Sequence, residues 1–120
     1  MSGSFPNAGL DHARYLPGLE LQDFSISAPT LVVDWQDIGN RYTAIVFVVL
    51  NTGAGVVTVQ AEASEDGSLV EAGPFAPQPF DVAAGAQGSD KYGVDVVWRY
   101  WRLRLSGTSS GKWGVKGIPR

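Results

Sequence analysis

The run Tyr42-Thr43-Ala44-Ile45-Val46-Phe47-Val48-Val49-Leu50 narrows most sharply what this chain can become. Its nearly continuous Ile, Val and Phe describe a central β-strand buried on both faces. The apolar core of that run, Ala44 to Leu50, is too short to span a bilayer. Asn51-Thr52-Gly53-Ala54-Gly55 follows as a hairpin turn, because asparagine and glycine tolerate positive φ at low cost. Val56 to Ser64 then alternates, with Val57, Val59, Ala61 and Ala63 on one face and Thr58, Gln60 and Glu62 on the other.

The rest of the chain repeats this grammar. A first strand is expected from Leu19 to about Ile26, stopped by Ala28-Pro29. A second is expected over Thr30 to Gln36, where Leu31, Val33 and Trp35 share the core-facing parity. Ser64-Glu65-Asp66-Gly67-Ser68 is a turn, followed by short strands near Leu69 to Glu71 and Phe80 to Val82, and by a loop from Ala83 to Lys91. The longest late strand, Asp95 to Ser106, puts Val97, Arg99, Trp101, Leu103 and Leu105 on one face. Val96, Trp98, Tyr100, Arg102 and Arg104 lie on the other. Gly107 to Gly111 turns the chain into a last strand, Lys112 to Ile118. No window shows a convincing helical period. The expectation is an all-β antiparallel β-sandwich or jelly roll of about seven to eight strands. Residues 1–18, rich in glycine and proline and without period, form an extended N-terminal arm, and residues 19–120 form the sandwich domain. The arm carries Phe5, Leu10, Tyr15 and Leu16, so it either packs back on its own domain or orders on a partner.

Several kinds of chemistry are excluded or disfavoured by the inventory. The chain has no cysteine, which removes disulfide scaffolds, thiolate metal sites and cysteine nucleophiles. One histidine, His12, leaves no multi-histidine metal site and falls in the arm, where a catalytic triad has no support. Asp34, Asp37, Glu62 and Glu71 offer no spacing that singles out an acid–base pair, and Glu65-Asp66 lacks the oxygen set of a calcium loop. No cofactor or metal is expected, and the chain does not read as an enzyme. No basic and apolar leader precedes residue 10, so a soluble protein made in the cytoplasm is expected.

Charge is unevenly spread. Residues 1–90 carry two cations against eleven acids, a balance of −9, while residues 91–120 carry seven cations against Asp95, a balance of +6. The net charge of −3 argues against nucleic acid as a partner, and the apolar runs argue against a membrane. The split leaves two readings open. Basic late strands could pair with acidic neighbours inside one sandwich, or the two signs could dock one copy against another. Four tryptophans, Trp35, Trp98, Trp101 and Trp113, leave open a platform for a glycan. Trp98, Tyr100, Arg102 and Arg104 form a Trp/Tyr/Arg stripe of the kind that concentrates binding energy at interfaces.

Two strings carry a resemblance: Val59-Gln60-Ala61-Glu62-Ala63-Ser64-Glu65-Asp66-Gly67-Ser68, and Arg99-Tyr100-Trp101-Arg102-Leu103-Arg104-Leu105-Ser106-Gly107. The pair resembles a discoidin-type jelly roll, although Val70 stands where that pattern has tryptophan and the bracketing cysteines are missing. With the arm and the Gly/Ala/Val-rich strands, the chain more closely resembles small β-sandwich structural proteins of tailed-phage virions, of the capsid-decoration (cement) or head-fibre type. That resemblance implies a non-enzymatic bacteriophage virion protein bound to the major capsid protein or another virion component, as a homo-oligomer, with a trimer favoured. Phe5, Leu10, Tyr15 and Leu16 would anchor it, and Trp98, Tyr100, Arg102 and Arg104 would make self- or capsid contacts. The alternatives are a discoidin-like carbohydrate-binding module and a tail or baseplate subunit.

Overall fold

The computed structural model describes residues 13–39, 41–70, 72, 77–92 and 98–119. Nine strands run through them in chain order: β1 (Arg14–Tyr15), β2 (Gln22–Ile26), β3 (Thr30–Asp37), β4 (Tyr42–Asn51), β5 (Val57–Ser64), β6 (Phe80–Val82), β7 (Gln87–Tyr92), β8 (Tyr100–Gly107) and β9 (Ser109–Pro119). One antiparallel sheet has the order β1-β9-β4-β7, with β2 also paired to β9, and the other has the order β3-β8-β5-β6. After β2 every connection except β5–β6 crosses from one sheet to the other. The result is an all-β sandwich of jelly-roll order, as the strand pattern led one to expect.

β4 sits between β9 and β7, and its residues Ala44 to Val49 are all buried. Ile45, Phe47 and Val49 meet Val57, Val59, Leu103, Leu105, Trp101, Trp113 and Val115 in the core between the sheets. Several sequence expectations change here. The Asn51–Gly55 turn closes no hairpin, because β4 and β5 lie in different sheets and the turn carries the chain across the sandwich edge. Gln87–Tyr92, expected as loop, is strand β7, since β4 would otherwise present an unpaired ladder on that side. Leu69 and Val70, expected in a short strand, lie outside any strand and are exposed. β9 begins at Ser109, three residues earlier than expected.

Trp35 is the most consequential change. β3 shifts register against β8 between Leu31 and Val33 and again between Val33 and Gln36. Each irregularity sets one extra β3 residue against β8, and an odd residue reverses which face the following side chains occupy. Of the three residues expected to face the core, only Val33 does: Leu31, before the first shift, lies outward opposite Arg104, and Trp35 turns to the outer face at the second.

One end of the sandwich is tied by Asn51, which is 1% exposed. Its Nδ2 donates to the carbonyls of Gly55 (2.7 Å) and Val82 (2.9 Å), and its Oδ1 accepts from the Gly53 amide (3.1 Å) and the Ser109 hydroxyl (2.6 Å). The asparagine read as a turn former is thus a buried clamp joining four segments. Beside it the β8–β9 connection passes through Gly107 at φ 121°, a conformation that favours glycine.

The segment read as an arm is divided by the structure. Arg14 and Tyr15 pair with Gly117 and Lys116 of β9, and Leu16 is 6% exposed within the core cluster. Phe5, Leu10 and His12 lie outside the described residues, as do Asp95 to Val97 at the start of the late strand.

Candidate interaction surface

β8 runs between β3 and β5, so its outward side chains stand in the middle of the second sheet's outer face. Leu103 and Leu105 are fully buried, Trp101 nearly so, and Tyr100, Arg102 and Arg104 are half-buried on the opposite parity. The bulge in β3 brings Trp35 alongside Arg102, whose guanidinium lies 4.3 Å from the ring centroid. On its other side Arg102 Nε donates to Glu62 Oε1 at 2.6 Å. Arg102 is therefore held flat between an aromatic face and a carboxylate. Arg104 approaches the same carboxylate oxygen at only 3.9 Å. One negative charge thus serves two cations. Arg104 pairs across the sheet with Leu31, itself 39% exposed. The Arg102–Glu62–Arg104 group consequently offers one cation more than its carboxylate neutralises, with spare guanidinium donors and an apolar neighbour in Leu31.

Tyr100 and Trp98 serve differently. Tyr100 packs its ring over Gly67, and the Arg99 guanidinium lies 5.3 Å from the Tyr100 centroid. Arg99 also donates to both carboxylate oxygens of Asp37, at 3.0 and 2.9 Å. Trp98 precedes the strand, so it does not continue the stripe. It packs partly buried on the core, edge-on to Trp101 with centroids 6.2 Å apart, and its carbonyl accepts Trp101 Nε1 at 2.7 Å. Of the expected stripe, Tyr100, Arg102 and Arg104 share a face and Trp98 leaves it. Trp35, which strict alternation along β3 concealed, joins it, and so does Glu62, opposite Arg102 on β5. Tyr15 and Leu16, expected to contact a partner, contact their own domain: Lys116 lies 4.8 Å from the Tyr15 ring, and Leu16 fills the core.

The tryptophans do not form a glycan platform. Trp101 and Trp113 are 2% and 5% exposed, Trp98 packs against Trp101, and Trp35 lies under Arg102. The charge split is answered mainly within the molecule, since Arg99–Asp37, Arg102–Glu62, Arg104–Glu62 and Lys112–Asp23 each join a late cation to an early acid. Among the described residues no three metal-ligating side chains come together, and no helix is long and apolar enough to cross a membrane.

The turn after β5 is locked by Ser64, which is fully buried. Its Oγ accepts the amides of Asp66, Gly67 and Ser68 at 3.3, 3.0 and 3.3 Å, and donates to Asp66 Oδ1 at 2.9 Å. Asp66 Oδ1 in turn accepts the amides of Ser68 (2.8 Å) and Leu69 (3.0 Å). The Leu69 and Ser68 amides, then Ser64, hold the Asp66 carboxyl below its ordinary value of 3.8, and the Arg99 guanidinium does the same for Asp37. A lowered folded-state value means stability that is present above pH 3.8 and lost as the pH falls through the folded value. Ser64→Ala is expected to cost about 2 kcal/mol, because three amides lose one acceptor in a buried position. Urea unfolding at pH 7 measures it, and a loss under about 0.5 kcal/mol would show that the loop does not depend on the hydroxyl.

The fold and this surface define a jelly-roll sandwich with a charged, aromatic sheet face. No protein-family model matches the chain, and no curated protein matches it. Two solved structures share the fold. One is a subunit of Bacillus endospore appendages, which form a family of disulfide-linked pili. It is 16% identical over 84% of this chain and 85% of that chain, with a TM-score of 0.53. The other is PirA, 16% identical over 81% of this chain and 92% of that chain, with a TM-score of 0.54. At such identity the likeness shows the fold alone. The neighbours overturn the resemblance to tailed-phage virion proteins, and with it the virion location and the capsid partner. The Asp66-Gly67 turn and the Arg99–Gly107 strand are working parts of a jelly roll, and unrelated proteins on that fold need such parts too. The absence of cysteine also separates this chain from disulfide-linked assembly.

Proposed function

We propose that this chain is a non-enzymatic structural subunit that assembles with copies of itself, in the manner of a fibre or appendage component. The observation that carries this reading is the Trp35–Arg102–Glu62–Arg104 row with Leu31 on an open sheet face. Rigid aromatic and arginine side chains with donors to spare are the composition of an interface centre. The fold it shares with a pilus subunit supports the same reading. The segment 1–12, with Phe5 and Leu10, is proposed as a second contact to a neighbouring copy.

Light scattering coupled to size exclusion tests this on the full chain, on Arg104→Glu with Leu31→Asp, and on a chain starting at Ala13. Assemblies larger than a monomer are expected for the parent, and smaller ones for each variant. The truncation stops before Tyr15 and Leu16 because both belong to the folded sheet. A parent that stays monomeric at millimolar concentration overturns the proposal.

A further inference from the structure

At one end of the sandwich Asp37, Tyr100 and Ser64 stand in one row across β3, β8 and β5. Two features leave the sheet there. The Glu65–Val70 loop carries Leu69 at 73% and Val70 at 43% exposure, the first being the most exposed large hydrophobic residue described. Its backbone is pinned by the Ser64 and Asp66 bonds, so Leu69 is presented to water on a fixed frame. The other feature is a groove of about 190 Å³ between the β1–β2 and β3–β4 connections, with Leu16, Pro17, Leu19, Ile38 and Tyr42 as its apolar lining and polar side chains beside them. It narrows inward, through Leu16 and Ile38, onto a void of about 10 Å³ against Phe47 and Trp101. Its lining is part apolar and part polar: Gln36, Asp37 and Arg41 stand on it, and the Asp37 carboxylate is already paired with Arg99, which leaves Arg41 as the charge it offers.

We infer that this end is a two-fold contact between copies, in which Leu69 of each chain enters the Leu16–Ile38–Tyr42 groove of the other. The inference rests on the self-assembly reading and names a surface distinct from the sheet face. A second copy is the occupant because plug and socket leave the same end of one chain. A two-fold axis through that end then satisfies both at once. Charge agrees: exposed Glu65, four residues before the plug, faces the socket's Arg41 in such a pairing. Arg41 is fixed for the purpose, with Nε and Nη2 donating to the carbonyls of Ile38 (3.1 Å) and Asp37 (3.0 Å). The contact buries a leucine on each side, and it leaves the Arg104 face free for other copies.

The chain lacks cysteine, so an engineered pair reports this contact without background. Leu69→Cys protein, isotope-labelled, is mixed with unlabelled Pro17→Cys protein under mild oxidation, and the mixed disulfide is read by intact mass. Pro17 lines the groove and Val56, 52% exposed at the opposite end beside Gly107, serves as the control. A Leu69–Pro17 cross-link in at least tenfold excess over Leu69–Val56 is expected. In parallel, Leu69→Asp is expected to raise the dissociation constant of the parent's dimeric contact at least tenfold, with an unchanged circular dichroism spectrum. No preferred cross-link, or an unchanged association of Leu69→Asp, overturns the end contact. If Arg104→Glu still reduces the assembly in that case, the self-assembly reading stands alone. A parent that is monomeric throughout removes both.

Discussion

Gly111→Ala is expected to destabilise the protein by about 3–4 kcal/mol, a fall in melting temperature on the order of 15 °C. Gly111 lies in β9, paired on one side with Asn51 of β4 and on the other with Phe24 of β2. A Cβ there would overlap the Leu50 carbonyl oxygen, which is backbone and cannot swing aside as a side chain could. Relief requires β4 and β9 to separate, and these are the two most extensively paired strands of the first sheet, sharing register from Tyr42 to Asn51. The cost therefore comes from stretching ladder hydrogen bonds and loosening the core packing at once. Gly85→Ala is the control. Gly85 has φ 75° but no atom within 4 Å of an added Cβ, so it bears backbone strain alone, about 1–2 kcal/mol. Thermal unfolding of both variants separates the two causes. If Gly111→Ala costs no more than Gly85→Ala, close backbone approach is not what selects glycine at position 111.

The contrast bears on what the sequence could disclose. Side-chain periodicity reveals which face of a strand is buried, and it served well for Val57, Val59, Ala61 and Ala63 and for Trp101, Leu103 and Leu105, all of which are core residues. It reveals nothing about which strand pairs with which. The Asn51–Gly55 turn has the composition of a hairpin, yet it links strands of different sheets, because the same residues suit any tight change of direction. Gln87–Tyr92 has no alternation to read, and its strand conformation is imposed from outside by the ladder of β4. Trp35 illustrates the converse failure. Its parity along β3 is that of core-facing Val33, and the register shift between Val33 and Gln36, which leaves no composition signal, carries it to the outer face. The candidate surface inherits both limits. Tyr100, Arg102 and Arg104 were legible because they share one regular strand. Trp35 and Glu62 required the pairing of β3 and β5 with β8. Trp98 fell away because the strand starts two residues beyond it.

Asn51→Ala is expected to cost about 4 kcal/mol, comparable with removing a large core side chain. The truncation strands the carbonyls of Gly55 and Val82, the Gly53 amide and the Ser109 hydroxyl at a position that water hardly reaches. Each orphaned buried group costs about 1–3 kcal/mol, and partial rehydration at the sandwich end keeps the total below their sum. Asn51→Asp isolates the cause. An ionised carboxylate retains the acceptor for Gly53 and Ser109 but turns a negative charge toward two carbonyl oxygens in a buried site. Burial and those carbonyls favour the neutral acid, so its folded-state pKa lies above the unfolded value of about 3.9. With a raised folded value, the stabilising state is present below the unfolded pKa and is lost as the pH rises through the folded one. The penalty relative to the parent should therefore be largest at pH 7 and shrink toward pH 4, where a protonated side chain can again donate to one carbonyl. Taking the difference from the parent at each pH removes the acid sensitivity contributed by Asp37 and Asp66 in both proteins. Urea titrations at pH 4, 5.5 and 7 measure it. A penalty that does not change with pH would mean that residue 51 is wet, and that the crossing of the two sheets is held by its glycines rather than by this clamp.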